Sequence, residues 1–375
     1  MDRSLEELID LYDAAAPIER ASTIPAPWYT DARVLELELR TVFRRSWQYA
    51  ARLDQLRAAG DYVACELPAG EPIVVVRGQD DRLRAFFNVC RHHAAAVVTD
   101  AQGSARQFRC PYHGWTYSLD GELKGTPDFS GVCDFDRSAN GLVPIDGAAA
   151  ATWVFVRPEI SSAGTTHALP LQEFLGTDLL RQLDALGLER LRWMERRSYT
   201  LDCNWKVFVD NYLDGGYHVP HLHKGLDSVL DYSEYTIETG ERHCLQSSPM
   251  VADGADERTK AVRQGGRALY YWLYPNFMVN CYGQAMDTNL VIPRGVDRTD
   301  VIFDFYFADV SEAARAGNLE SIAVSEQIQD EDVGICESVQ RGLRSRAYGA
   351  GRLSVRREAG EHLFHRLLAR DLRQP

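Results

Sequence analysis

The chain has 375 residues, enough for two domains with a sizeable core in at least one, and 45% apolar against 25% charged residues is an ordinary globular balance. A net charge of −13 argues against nucleic acid as a partner, because phosphate binding needs a concentrated positive field. No uncharged apolar run approaches the roughly 20 residues of a membrane helix, and eight cysteines are too sparse for a disulfide framework.

In chain order, MDRSLEELIDLYDAAAPIER reads as an acidic helix rather than a basic, then apolar, secretory leader, which predicts a cytoplasmic protein. PAPWYTDARVLELELRTVFRRSWQYA follows as a turn and a second amphipathic helix with Val34, Leu35, Leu37, Leu39, Val42 and Phe43 as apolar positions. From about 45 to 156 the texture becomes short β-type runs (DYVACEL, EPIVVVRG, LRAFFNV, RQFRC, ATWVFVRP) broken by glycine turns, a small all-β unit. Residues 170–200 read as helical, 244–310 as strands, and helices are expected at 320–345 and 357–371. SSAGTTHALP (161–170) is the convincing linker, and repeats and low-complexity tracts are absent.

The β unit contains CRHHAAAVVTDAQGSARQFRCPYHGW (90–115), in which Cys90-x-His92 and Cys110-x-x-His113 are separated by seventeen residues. Two cysteines and two histidines serve structural zinc or a two-iron, two-sulfide cluster. In usual zinc fingers the cysteines pair with each other, whereas here each arm supplies one of each type. Such arms suit a cluster in which Cys90 and Cys110 bind one iron and His92 and His113 the other. Neutral imidazoles in place of two thiolates raise its potential, so it accepts electrons readily from a reductase. His93 reads as a partly exposed loop histidine.

An electron carrier needs only the β unit, which leaves the second half of the chain to explain. CNWKVFVDNYLDGGYHVPHLHKG (203–225) places His218 and His223 with four residues between them, and two histidines with one carboxylate mark mononuclear non-haem Fe(II) oxygenases. On a regular helix that spacing would turn the rings about 140° apart. Pro220 and the Gly215-Gly216 pair predict an irregular helix that lets them converge. His221 is the competitor, otherwise lining the pocket or solvated. In VSEQIQDEDVGICESVQRGL (324–343), Val324, Ile328, Ile335 and Val339 mark one helix face on which Asp332 falls, while Asp330 and Glu331 point elsewhere. A buried carboxylate needs a partner, so Asp332 is the third-ligand candidate, against the alternative of an internal pairing with arginine.

With both sites in hand, the chain resembles the Rieske non-haem iron oxygenase α subunits, and among them the choline monooxygenase type. PAPWYTD, CPYHGWTYSLDG, NWKVFVDNYLDGGYHVPHLH, YPNFMVNCYG, MDTNLVIP and QDEDVGICESVQRGL carry the likeness nearly end to end. The resemblance implies an α+β chain: N-terminal helices (1–44) packing on the catalytic domain, a Rieske [2Fe-2S] domain (45–156), and a helix-grip (START-like) catalytic domain with an antiparallel sheet (157–375). It also implies a head-to-tail homotrimer in which one subunit's cluster feeds its neighbour's mononuclear iron. The family places a bridging carboxylate three residues before the first ligand histidine. That position is Gly215 here, and Asp214, one further back, is the substitute, with Asn211 a further catalytic candidate. His93-Ala94 stands where many members have Arg-Gly.

The expected reaction is hydroxylation of a small organic substrate, such as choline or another trimethylammonium compound, with O2 and electrons from a separate reductase or ferredoxin. No strand–GxGxxG–helix fingerprint occurs, so NAD(P)H and flavin belong to a separate reductase. Rings of ALYYWLYPNFMVNCYG (268–283) can add faces to a quaternary-ammonium cage, although by alternation most are core. The runner-up is ring hydroxylation or oxidative demethylation of an aromatic acid, with Arg267 or Arg294 as carboxylate anchor. A zinc-stabilised binding module remains if both iron assignments fail.

Overall fold

The computed structural model describes residues 3–160, 169–251, 257–263 and 265–374. Most of the expected linker 161–170 lies outside the described residues. The chain divides into two compact units, Phe43–Phe174 and the remainder, Met1–Val42 with Leu175–Pro375. The β unit thus runs past 156, because Trp47 Nε1 and Arg157 Nη1 both donate to the Leu169 carbonyl, at 3.0 and 3.3 Å, and tie that segment back.

The β unit is built on a seven-stranded antiparallel sheet in the order Gln48–Arg52, Trp153–Arg157, Pro144–Ala150, Leu83–Phe87, Glu71–Arg77, Asp61–Leu67, Gln102–Ser104. EPIVVVR has apolar residues at consecutive positions because both of its faces are covered. Ile73 and Val75 join Ala85, Phe87 and Val154 in one core, while Val74, Val76 and Phe86 join Cys90, Cys110, Trp115 and Tyr117 in the other. A small three-stranded sheet, Phe108–Arg109, Thr116–Tyr117 and Leu123–Gly125, supplies the second of those layers. The expected all-β unit is therefore present, and its cysteines belong to its hydrophobic core.

The other unit holds a second seven-stranded antiparallel sheet, ordered Arg192–Leu201, Arg298–Phe307, Ala285–Gly295, Phe277–Tyr282, Arg267–Leu273, His243–Pro249, Thr236–Thr239. Residues 192–200, expected as helix, are its edge strand: each residue from Arg196 to Leu201 pairs with one in Thr299–Asp304, and this long pairing overrides local propensity. Helices Trp205–Leu213, Arg315–Leu343 and Ala359–Leu372 complete the unit. The N-terminal helices Ala26–Thr30 and Ala32–Glu38 join it through Tyr29, whose hydroxyl donates to Asp210 at 2.5 Å, and Glu38, which accepts from Trp205 Nε1 at 2.8 Å.

Candidate metal centres and the cavity between sheet and helix

In the β unit both ligand arms are hairpin tips held by their own backbone. Ala94 N donates to Cys90 O and Cys90 N to Ala95 O in the first arm; Gly114 N donates to Cys110 O and Cys110 N to Trp115 O in the second. Asn88 braces the first arm, its amide oxygen accepting from Val97 N and Val98 N at 3.0 and 2.9 Å while its Nδ2 donates to Val98 O. Tyr117 closes the floor, its hydroxyl 3.3 Å from Cys90 Sγ and accepting from Arg91 N.

The four candidate ligands come together. Cys90 and Cys110 are buried at 3 and 2% exposure, His92 is half-buried and His113 exposed, with the two imidazoles 4.7 Å apart. His92 stacks on Trp115 at 4.6 Å and 6°, which fixes its ring plane. Burial above all, and then the neighbouring Cys90, push the Cys110 thiol above its ordinary pKa. A thiol so placed ionises readily only if a cation compensates it. The buried Nδ1 of His92 has no hydrogen-bond partner. An unpartnered imidazole nitrogen on one arm and a buried free thiol on each of the two arms are the donors a two-iron, two-sulfide cluster requires, so the residues fit it. His93 is exposed, as expected for a loop histidine.

In the other unit the helix Trp205–Leu213 ends at Asp214, and Gly215 and Gly216 follow with φ of +70° and +66°. A Cβ on Gly215 would lie 2.1 Å from the Arg357 carbonyl, so only glycine permits this break. The chain restarts in the short helix Val219–Leu222, with His218 and His223 flanking it and their rings 4.9 Å apart. His221 is exposed and stays solvated.

Asp332 completes the set: His223 Nε2 and His218 Nε2 lie 3.1 and 3.9 Å from its Oδ1, and the three ligand atoms fall within 4.8 Å of one another. Its contacts are with these histidines and with Asn211 Nδ2, which donates at 2.8 Å, and no arginine is among them. The apolar stripe that pointed to Asp332 is only partly right. Ile335 and Val339 are 39 and 44% exposed, and the buried face runs through Ser321, Ser325, Gln329, Cys336 and Gln340, polar residues at turn spacing.

Each histidine turns its other nitrogen to a carboxylate. Asp214 Oδ2 lies 2.6 Å from His218 Nδ1 and also accepts from His218 N, while Asp214 Oδ1 accepts from Tyr217 N at 3.1 Å. The two left-handed glycines let a carboxylate four residues back reach the ring. Glu331 Oε2 lies 2.6 Å from His223 Nδ1, which corrects the expectation that it points away. This outer carboxylate fixes the tautomer that leaves Nε2 free for metal. Burial acts to lower the His223 pKa, but its hydrogen bonds and the charges of Asp332 and Glu331 outweigh it and push the value up. The same negative field favours a divalent cation, so these residues fit a mononuclear metal. Asp210, on the helix Trp205–Leu213, forms a second acid–histidine group with Glu361 and His365 of the helix Ala359–Leu372, with His365 Nε2 3.0 Å from Asp210 Oδ1.

The three ligands open onto a cavity of about 110 Å³ between sheet and helices. Tyr212, Tyr235, Tyr270, Tyr282 and Phe208 line it, as do two buried charges, Asp287 and Arg263. Of the ring-rich strand pair, Tyr270 and Tyr282 reach the cavity, and Tyr271, Trp272, Tyr274 and Phe277 are core. Arg267 and Arg294 do not line it: Arg267 donates to Ser247 Oγ at 2.8 Å and Arg294 to Asp300 at 2.7 Å. Sequence reasoning missed Glu331, Arg263 and Asp287. The polar triplet DTN within an otherwise apolar strand was the available signal for Asp287; Arg263 carried none.

The two units and their metal-ligand sets define an oxygenase of two centres, and family comparison agrees. A Rieske [2Fe-2S] domain matches residues 46–136, and the catalytic domain of the ring hydroxylating alpha subunit matches 188–374. The chain belongs to the Rieske non-haem iron oxygenases, and these domains imply a [2Fe-2S] cluster and a mononuclear iron. It is 40% identical to the chloroplastic choline monooxygenase of Arabidopsis thaliana, over 98% of this chain and 87% of that one. It is 31% identical to the carnitine monooxygenase oxygenase subunit of Escherichia coli K12, over 94% of each. A crystal structure of the quaternary ammonium Rieske monooxygenase CntA with substrate L-carnitine superposes with a TM-score of 0.81 at 28% identity, over 99% of both chains.

Proposed function

We propose that this oxygenase hydroxylates a small trimethylammonium compound held beside an iron bound by His218, His223 and Asp332. The observation that carries the reading is the cavity itself, whose tyrosine faces and Asp287 carboxylate suit a large, weakly hydrated cation. The names of the relatives, choline and carnitine monooxygenases, support it. Overall the reaction joins substrate, O2, two electrons and two protons to give the hydroxylated product and water.

When bound, the cluster on Cys90, His92, Cys110 and His113 supplies single electrons and the mononuclear iron supplies O2 activation. The chain's own groups do the positioning. Glu331 and Asp214 hold the two imidazoles so that both Nε2 atoms converge, and Asn211 fixes the Asp332 carboxylate. In a head-to-tail homotrimer Asp214 also meets a cluster histidine of the neighbouring subunit and shortens the electron path. Electrons come from a separate cytoplasmic reductase or ferredoxin, and NAD(P)H and flavin belong to the reductase. No helix among the described residues is long and apolar enough to cross a membrane.

Arg263 favours one second reading, an aromatic acid anchored by its carboxylate. Product-coupled O2 consumption with a competent reductase separates the two. Choline or glycine betaine should stimulate it, and their neutral-headed copies, 3,3-dimethylbutan-1-ol and 3,3-dimethylbutanoate, should not. Equal stimulation by charged and neutral heads removes the cation site, and a response to benzoates alone moves the assignment to the aromatic acids.

A further inference from the structure

The cavity carries one fixed charge of each sign, and a trimethylammonium group uses only one of them. Arg263 is 5% exposed, its guanidinium lying 4.3 Å over the Tyr282 ring. Nη1 donates to Ser321 Oγ at 2.9 Å and Nη2 to Ser325 Oγ at 2.5 Å, while the buried Nε has no partner. A guanidinium has five N–H donors in a planar fork, so two serines leave three of them without a partner and able to answer a carboxylate. Ser325 and Asp332 lie seven residues apart on one helix, about 10 Å at its rise per residue. That spacing keeps Arg263 from competing for the metal, yet one small molecule can touch both.

Asp287, 4% exposed, sits across the same cavity with its Oδ2 accepting from Asn280 Nδ2 and Asn289 Nδ2 at 2.7 and 3.1 Å. Burial pushes the Asp287 carboxyl above its ordinary pKa and the Arg263 charge opposes that rise, yet no ion pair closes between the two among the described residues, so a cation in the cavity is what would complete the carboxylate. Burial of an unpaired charge is costly, and an unpaired charge of each sign facing one cavity selects its ligand. A simple cation such as choline meets Asp287 favourably and Arg263 unfavourably; a simple carboxylate has the reverse problem. A molecule carrying both charges answers both at zero net charge. The guanidinium already occupies a face of Tyr282, so the ammonium belongs toward Tyr212, Tyr235 and Tyr270, nearer Asp287.

We propose that the substrate is a betaine, a zwitterion whose carboxylate pairs with Arg263 while its trimethylammonium group rests among the tyrosines and Asp287 beside the metal ligands. This rests on the trimethylammonium reading and narrows it, placing carboxylate-free choline among the weak ligands.

The test is equilibrium binding to the cluster- and iron-loaded protein, with three probes that share one shape: glycine betaine, choline and 3,3-dimethylbutanoate. Glycine betaine should bind at least tenfold tighter than either. Arg263→Gln should weaken glycine betaine by thirtyfold or more and change choline less than threefold, and Asp287→Asn should weaken glycine betaine and choline but not 3,3-dimethylbutanoate. Cluster absorbance and melting temperature check that each variant is folded, and the wild-type ranking decides the matter without any variant. Choline binding as tightly as glycine betaine overturns the betaine assignment and leaves the trimethylammonium reading standing. So does an equal loss of both ligands in Arg263→Gln. Binding of 3,3-dimethylbutanoate as tight as that of glycine betaine removes the trimethylammonium reading and this inference with it.

Discussion

The Rieske loops and the His-His-Asp site hold metal by opposite means. In the loops, four ligands come from two hairpin tips 26 residues from end to end, each tip closed by its own backbone hydrogen bonds, with cysteines in the core and His113 in solvent. In the catalytic unit, ligands 114 residues apart meet over a cavity, and both histidines are steadied by carboxylates rather than by turns. The difference follows from what each must do. An electron relay needs a stiff cluster with an exposed edge, whereas a hydroxylating site must keep coordination open and place substrate in a cavity beside it.

If the centres are as separate in folding as in construction, each can be emptied alone. Asp332→Ala should lose mononuclear iron and at least a thousandfold in turnover while the [2Fe-2S] absorbance and acid-labile sulfide stay at wild-type level. Cys110→Ala should do the converse, losing colour and sulfide but keeping one iron per chain. Loss of both metals in either variant would join the centres into one folding unit and break the comparison. Colourless wild-type protein with stoichiometric zinc would end it.

A smaller effect tests the carboxylate support. Glu331→Gln leaves all three ligands but lets the His223 tautomer relax, which should lower iron affinity or turnover about 10- to 100-fold, measured by competition with a chelator. Asp214→Asn should act differently, slowing oxidation of the reduced cluster in a single turnover about tenfold or more. If the two variants have the same profile, Asp214 is only a positioning group for His218, and the bridge lies elsewhere.

The same contrast explains what could be read from sequence. Cys90-x-His92 and Cys110-x-x-His113 are local, so spacing alone pointed to the Rieske domain that residues 46–136 match, and EPIVVVRG and ATWVFVRP announced the sheet beneath them. The break at Gly215-Gly216 was legible for the same reason, and it lets the Asp214 carboxylate reach the His218 ring from four residues back. Asp332 was found on a stripe whose lower half, Ile335 and Val339, is exposed. The buried positions mix Ile322, Val324 and Leu343 with Ser321, Ser325, Gln329 and Gln340, and hydrophobic periodicity is blind to the polar ones. Glu331 escaped because one helical position off the marked face was taken as outward, although a long side chain reaches around. Arg263 is positioned only by tertiary structure, through two serines on a helix 58 and 62 residues downstream. Residues 192–200 were lost because a strand at a sheet's edge with charges on its open face lacks the apolar alternation that betrays central strands.

The smallest expected effect concerns stability and belongs to the catalytic unit alone. Glu361 is 6% exposed, and burial, followed by the charges of Asp210, Glu358 and Asp214, pushes its carboxyl well above the ordinary value of 4.5. Folding therefore prefers the protonated form. A group whose folded pKa is raised contributes stability that is complete below its unfolded pKa and is lost as pH climbs toward the folded value. Stability of this unit should fall as pH rises above 4.5 from this residue alone. Glu361→Gln keeps the shape and cannot ionise, so it should flatten that slope, gaining on the order of 1 kcal/mol over wild type at pH 8.5, or about 2–4 °C in melting temperature, and less at pH 6. The Rieske unit's melting transition, followed by cluster absorbance, should not shift. An identical pH slope in wild type and variant would mean that Glu361 is ionised in the fold, with His365, 3.7 Å away, as its cationic partner.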